Sequence, residues 1–116
     1  MSPLAPGAGT DAASLDLALA PVPAEQVVVG APRAGAVELG ELGGVEIGVW
    51  EHTPGVSTDV EADEVFVVLS GAATVSFDDS ALPDLELRAG SVARLTAGMR
   101  TTWTVRETLR KIYLAP

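Results

Sequence analysis

Short apolar runs alternate with turn residues along most of the chain, and none of the runs is a helical stripe of useful length. From Val27 onward these runs recur at the spacing typical of a β-sandwich or β-barrel. In order they read VVVG, AVELG, VEIGVWEHT, EVFVVLSG, ATVSF, LELRAG, SVARLTAG, TTWTV and LRKIYLA. The pattern predicts an all-β domain of about nine strands with almost no helix.

Glycine and short polar residues separate the predicted strands. Gly71 follows Ser70 between two β runs, where a residue free to adopt positive φ lets the chain reverse tightly. The sequence DDS at residues 78–80 ends the run that contains ATVSF. We therefore predict a tight turn at Gly71 and a loop after Phe77.

The first part of the chain differs in composition from the rest. Residues 1–24 are rich in Ala, Pro and Gly and bury little, which predicts a flexible N-terminal arm. Leu15, Leu17 and Leu19 recur with period two within it, as in a short edge strand. Residues 25–116 are predicted to form one domain.

Charge and cysteine content limit the partners and the chemistry. The net charge of -9 disfavours nucleic acid, whose binding depends on Lys and Arg, and it disfavours anionic membrane surfaces. With no cysteine, the chain has no disulfide, thiolate nucleophile or zinc-thiolate site. The N-terminal stretch has no Lys or Arg before its apolar part, and Asp16 and prolines interrupt that part, so it does not fit a signal peptide and a cytoplasmic location is expected.

Two stretches of the chain resemble the two motifs of the cupin superfamily. They read GVSTDVEADEVFVVLSG from Gly55 and GSVARLTAGMRTTWTV from Gly90. With GVWEHTPG and the ending RKIYL, they are similar to the small single-domain cupins grouped with (S)-ureidoglycine aminohydrolase. The resemblance implies a jelly-roll β-barrel of two antiparallel sheets, also called a double-stranded β-helix, with a pocket inside the barrel.

The resemblance also implies where metal ligands would lie. Metal-binding cupins supply two histidines and a glutamate from the first motif and a third histidine from the second. In this sequence the matching positions hold Ser57, Asp59, Glu64 and Thr101, so only the glutamate is retained. Hydroxyls are weak ligands for Fe, Mn, Ni or Zn, although oxygen ligands suit Mg or Ca. We therefore expect no cofactor and no tightly bound transition metal.

His52 and Glu64 are the candidate acid or base groups. His52 is the only histidine and lies on the strand VEIGVWEHT, where it either lines the pocket or is a hydrogen-bonded residue at the strand end. Glu64 points into the barrel if the motif match holds, and an apolar pocket would then raise its pKa. The alternative is a structural glutamate that is bonded to neighbouring residues.

The run DVEADE admits two interpretations. Asp59, Glu61 and Asp63 recur with period two and would share one face of an unbroken strand, which is the pattern of a cation site. The interpretation that we favour makes residues 61–63 a solvated hairpin turn before a strand beginning at Glu64, because charge runs are usually exposed.

Aromatic residues and the single lysine complete the candidate pocket. Counting in twos from Thr101 places Trp103 on the same strand face, as core filling or as a pocket wall. Trp50 and Tyr113 are further candidates. Lys111 either pairs with a pocket carboxylate, binds an anionic ligand or is exposed on its strand.

Three functions remain open from the sequence. The first is a cupin that binds a small polar or anionic metabolite without a metal, with or without catalysis. The second is a metal-dependent hydrolase or isomerase acting on a ureido acid or sugar-like substrate, and the third is a structural or regulatory dimer with a filled barrel. The alternating leucines and the resemblance also predict a homodimer.

Overall fold

The computed structural model describes residues 3–116, which contain nine β-strands and one short 3-10 turn. None of the described residues belongs to a helix long and apolar enough to cross a membrane. In chain order the elements are β1 (Ala20–Pro21), the 3-10 turn (Ala24–Gln26), β2 (Val27–Val29), β3 (Arg33–Leu42), β4 (Val45–His52), β5 (Gly55–Val60), β6 (Glu64–Phe77), β7 (Leu85–Arg88), β8 (Val92–Leu95) and β9 (Arg100–Ala115).

The strands form one curled antiparallel sheet that is organised around β9. One edge of β9 pairs with β4 along residues 109–115 and with β5 along residues 100–105. Its other edge pairs with β6, which in turn pairs with β7 and β8. The outer strands β1 and β3 extend from β4, and β2 extends from β5. The predicted all-β architecture is confirmed, and its two layers are joined through β6 and β9.

The hydrophobic core lies between the layers and follows the period of two expected for strands that are buried on one face. Phe66 and Val68 point inward from the first half of β6, and Ala73 and Val75 point inward from its second half. An odd step of five residues separates Val68 from Ala73, so a regular strand would aim them at opposite faces. Register shifts against β9 between residues 68 and 73 remove this conflict.

The prediction of a tight turn at Gly71 is wrong, because β6 runs through it without reversing. Gly71 has φ of 100° and lies among the register shifts of β6. A Cβ atom placed there would lie 2.2 Å from the carbonyl oxygen of Thr108 on β9. Glycine is required here because the strand has a bulge and two backbones approach closely. Both features favour glycine, as a tight turn does.

The N-terminal segment contacts the barrel at several points. The guanidinium of Arg110 donates to the carbonyl oxygen of Ala12 at 3.0 Å, and that of Arg33 donates to the carbonyl oxygen of Leu19 at 2.8 Å. β1 pairs with β3 directly after the alternating leucines. The predicted boundary at residue 24 stays a prediction, and residues 1–2 of the arm lie outside the described residues.

Candidate functional site

A cavity of about 340 Å³ opens inside the barrel, a size within the range of small-molecule sites. Its walls come from β3, β4, β5, β6 and β9, and residues 20–23 and Gln26 border it on the N-terminal side. Eight residues predicted from the sequence line it: Trp50, His52, Ser57, Asp59, Glu64, Trp103, Lys111 and Tyr113. Glu61 and Thr58 line it as well.

Lys111 and Glu64 form an ion pair at one side of this cavity. Lys111 Nζ lies 2.8 Å from Glu64 Oε2, and the two side chains are 5% and 19% exposed. The ammonium also lies over three aromatic rings, at 4.5 Å from the centroid of Trp50, 4.4 Å from that of Phe66 and 4.8 Å from that of Trp103. The pairing follows from strand register, since β6 and β4 flank β9 on opposite edges beside Lys111.

His52 and Ser57 form a second polar pair, and both are buried. His52 Nδ1 lies 2.7 Å from the carbonyl oxygen of Thr53, which only accepts, so the proton is on Nδ1. His52 Nε2 then accepts from the hydroxyl of Ser57 at 2.9 Å. Burial lowers the pKa of His52, opposed by the bond to Thr53. The imidazole therefore stays neutral and keeps its acceptor nitrogen toward Ser57.

Glu61 is a site residue that the sequence analysis placed wrongly in a solvated turn. Its Oε2 accepts from the hydroxyl of Thr101 at 2.5 Å and from the indole N–H of Trp103 at 3.0 Å. Ala62 and Asp63 are exposed as predicted, but the side chain of Glu61 is half-buried and borders the cavity. Strand alternation places Glu61 on the same side as Ser57 and Asp59, and this period of two is the sequence pattern that indicates its position at the cavity.

Thr101, predicted as a pocket residue, is not among the residues that line this cavity. Its side chain is buried behind Glu61, and its hydroxyl donates to the Glu61 carboxylate. The count in twos from Thr101 to Trp103 is correct for strand facing, since both residues are buried on β9. Thr101 therefore holds a pocket carboxylate rather than contacting the cavity.

Tyr113 also lines the cavity and is held by Glu46. Its hydroxyl donates to Glu46 Oε2 at 2.5 Å. Burial raises the pKa of Tyr113, and the bond and charge of Glu46 raise it further. The ring packs against Gly48, where a Cβ atom would lie 2.3 Å from the ring. Glycine at this position of β4 therefore makes room for the tyrosine.

Sequence comparison decides the family. The model of the EutQ-like cupin domain matches residues 39–113, which include every lining residue from β4, β5, β6 and β9. The chain belongs to this cupin family. Among curated protein sequences, none matches the cupin significantly.

Several solved structures share the fold. The EutQ protein of Clostridium difficile superposes with a TM-score of 0.60 at 17% identity, over 72% of this chain and 67% of that chain. A protein of unknown function from Rhizobium leguminosarum gives 0.63 at 25% identity, over 72% and 81% of the two chains. A protein of unknown function from Pseudomonas syringae gives 0.72 at 21% identity, over 87% and 44%. These likenesses confirm the jelly-roll barrel.

The donors in this cupin do not fit a transition metal. Within residues 3–116, no group of three or more His, Cys, Asp or Glu side chains is arranged to hold a metal ion. At the four motif positions, Ser57 is bonded to His52, Thr101 to Glu61, and Glu64 to Lys111. Asp59 is largely exposed at the cavity edge. Three of the four motif side chains therefore serve other partners, and none of the four supplies an imidazole nitrogen.

Carboxylates outnumber cationic groups around the cavity of this cupin. Asp59, Glu61 and Glu64 line it, and Lys111 is the one basic side chain among the described lining residues that carries a fixed charge. Burial raises the pKa of Glu61, opposed by its bonds to Thr101 and Trp103. The cavity therefore carries a negative potential once Glu61 is ionised.

Replacing Glu61 by glutamine tests this description of the carboxyl group. A carboxyl group whose pKa is raised in the folded state binds its proton more tightly there than in the unfolded chain. The contribution of Glu61 to stability therefore falls as the pH rises above 4.5, the ordinary pKa of this side chain. The free energy of unfolding of the cupin minus that of Glu61→Gln should therefore decrease between pH 4 and pH 7. Urea unfolding at several pH values measures it.

The exposed Asp63 provides a matched control for Glu61. Its side chain bonds the backbone N–H of Ala97 outside the cavity. The corresponding difference measured for Asp63→Asn, whose carboxylate lies outside the cavity, is the reference against which the fall for Glu61→Gln is judged. A difference for Glu61→Gln that is constant or rises with pH would contradict a raised pKa for Glu61.

Proposed function

We propose that this cupin binds a small polar organic molecule, uncharged or cationic, inside the barrel. The observation that carries the proposal is a cavity of about 340 Å³ walled by Trp50 and Trp103 and lined by several polar side chains. A barrel with a purely structural role would fill this space with side chains. The two indoles have ring centroids 5.4 Å apart, so they offer a continuous apolar wall.

The charge around the cavity supports the choice of ligand class. Three carboxylates face the space, and the one ammonium is already paired with Glu64. An anionic ligand would therefore be repelled by Asp59 and Glu61, whereas an amine, a hydroxyl or an amide N–H would find acceptors. We accordingly favour polar uncharged or cationic ligands over the anionic ones among our predictions.

We propose further that binding uses no tightly held transition metal. The hydroxyls of Ser57 and Thr101 and the carboxylate of Glu64 are engaged with protein partners, and none of the four motif positions supplies an imidazole, on which Fe, Mn, Ni or Zn depend. The narrower likeness to (S)-ureidoglycine aminohydrolase and its metal-dependent chemistry stays a prediction, as does the filled structural dimer.

The groups of this cavity that are suited to acid-base catalysis are His52 and Glu61 rather than Glu64. His52 is neutral, with an acceptor nitrogen bonded to Ser57, and Glu61 has a raised pKa in the same cavity. Glu64 is held as the counter-ion of Lys111. Groups with separated proton affinities facing one space are the elements of general acid-base chemistry.

The fluorescence of Trp50 and Trp103 tests ligand binding directly, because they are the chain's two tryptophans and both wall the cavity. Three probes of similar shape differ in charge: choline, 3,3-dimethyl-1-butanol and 3,3-dimethylbutanoate. We expect saturable changes with the first two, and at least about tenfold weaker binding of the carboxylate, equivalent to about 1.4 kcal/mol. Tighter binding of the carboxylate would reverse the charge argument.

Filling the cavity supplies the control for these titrations. Ala34 lines the cavity, whereas Ala97 is exposed elsewhere, so Ala34→Leu and Ala97→Leu add the same atoms in different places. The first variant should lose the fluorescence response and the second should keep it. No saturable response in the unaltered protein with any probe would contradict the proposed ligand class.

The homodimer and the cytoplasmic location stay predictions. An exposed edge supports the former, since β2 pairs only with β5 among the described strands and Val28 and Val29 are each 58% exposed. Such an edge is suited to pairing with a strand of another chain. The expectation that nucleic acid and membranes are not partners likewise stays a prediction.

A further inference from the structure

The ammonium of Lys111 occupies a site with the parts of a cation-binding centre. One carboxylate lies within hydrogen-bond distance, and three aromatic rings turn their faces toward the charge at 4.4 to 4.8 Å. Aromatic faces attract cations most strongly where water is excluded, and Lys111 is 4% exposed. The rings of Trp50, Phe66 and Trp103 come from three different strands, so the enclosure is a product of the fold.

This centre includes Glu64, which stands at a metal-ligand position of the first cupin motif. Glu64 is the one motif position that keeps the residue type of metal-binding cupins. Its Oε2 accepts from Lys111. A metal ion bound by Glu64 at that oxygen would compete with the ammonium for the same lone pairs and would meet a like charge.

We infer that Lys111 is the built-in cation of this site: its ammonium takes the place beside Glu64 that a metal ion holds in metal-binding cupins. The centre thus recognises an organic ammonium ion, and the chain supplies that ion itself. This inference does not depend on whether the cavity binds a further ligand.

Two consequences follow for the chemistry of the cavity. Glu64 is a counter-ion rather than a free acid or base, because its charge is matched by Lys111 at 2.8 Å. The ammonium has three N–H donors, of which one goes to Glu64 Oε2, and Lys111 borders the cavity. A carbonyl or hydroxyl oxygen of a bound ligand is therefore the group that the remaining donors fit.

The absence of cysteine from the chain allows the charge at position 111 to be changed chemically. Lys111→Cys is alkylated while unfolded, either with 2-bromoethylamine, which rebuilds a lysine-length side chain with an ammonium, or with 1-bromopropane, which gives the same length without charge. Because both products are made from the unfolded chain, the test does not require the cysteine variant to fold. The unaltered protein, treated with each reagent, controls for reaction elsewhere.

We expect the aminoethyl product to refold with a thermal midpoint within a few degrees of the treated control. The propyl product should melt at least about 10 °C lower or fail to refold. Adding Glu64→Gln should reduce the difference in thermal midpoint between the two products to less than half, because the neutral amide no longer needs a cation. Together these results would support the inference.

Equal midpoints for the two alkylated products would overturn the inference, as would a gap that is unchanged by Glu64→Gln. Elemental analysis of the unaltered protein, purified without chelator, is the second measurement. About one Mn, Fe, Ni or Zn per chain, lost on Glu64→Gln, would show that Glu64 serves a metal and not Lys111. Failure of the probes to bind the cavity would leave these outcomes unaffected, so the two proposals can fail separately.

Discussion

Replacing Lys111 by methionine is expected to lower the free energy of unfolding by about 3 kcal/mol, a large fraction of the stability of a small domain. The substitution keeps a long side chain among the three rings but leaves the carboxylate of Glu64, whose side chain is only 19% exposed, without its cation. The cost comes mainly from that unpaired charge, because removing one partner of a buried pair leaves the other charge desolvated with nothing to compensate it. Urea unfolding at pH 7 measures the change.

A double-mutant cycle separates the pair from simple packing. Glu64→Gln combined with Lys111→Met removes both charges, so it should be more stable than Lys111→Met alone by at least about 1 kcal/mol. The exposed pair Arg106 and Glu86, 3.2 Å apart with side chains 50% and 69% exposed, is the matched control. Arg106→Met should cost under about 1 kcal/mol. Equal costs for Lys111 and Arg106 would contradict the account given for the buried pair.

Much of the cavity wall was predictable because residues on one strand face recur with period two. The cupin motifs located Ser57 and Glu64, and strand alternation placed Trp103 on the buried face. Glu61 was missed because a charge run was taken as solvated, although its partners Thr101 and Trp103 lie about forty residues away on β9. A partner at that separation leaves no signal in the local sequence.

The roles of Lys111 and His52 depend on register, which the sequence did not determine. The sequence analysis left Lys111 with three alternatives, and the choice follows from β9 placing it beside both β4 and β6. His52 meets Ser57 because β4 and β5, separated only by residues 53 and 54, follow one another along the same edge of β9. β5 itself was not predicted as a strand, since its sequence GVSTDV lacks a continuous apolar run.

The fold was predicted in class, but the nine predicted strands correspond to seven of the nine observed, because two pairs of predicted strands are single elements. EVFVVLSG and ATVSF form the continuous β6, and TTWTV and LRKIYLA form β9. In β6 a glycine at a bulge was taken for a turn, because both features need a residue that tolerates positive φ. Only the pairing of β6 with β9 on both sides of Gly71 distinguishes them.

Gly71→Ala is accordingly expected to destabilise the protein by about 4 kcal/mol or to prevent folding. A methyl group would lie 2.2 Å from the carbonyl oxygen of Thr108 and 2.7 Å from Cα of Leu109, both of which belong to the backbone of β9. These contacts can be relieved only if β6 and β9 move apart, because the atoms involved belong to the backbone and not to a flexible side chain. Circular dichroism during thermal and urea unfolding measures the loss.

Gly90 separates the cost of the backbone angle from the cost of the contact. It has φ of 92°, close to that of Gly71, but a Cβ atom there meets nothing within 4 Å. Gly90→Ala should therefore cost only the penalty of a left-handed conformation, about 1–2 kcal/mol. If the two substitutions are equally costly, the close approach of β6 to β9 contributes nothing, and Gly71 is required for its φ alone. If Gly71→Ala costs about 2 kcal/mol more than Gly90→Ala, contact with the Thr108 carbonyl is what makes glycine necessary at the bulge.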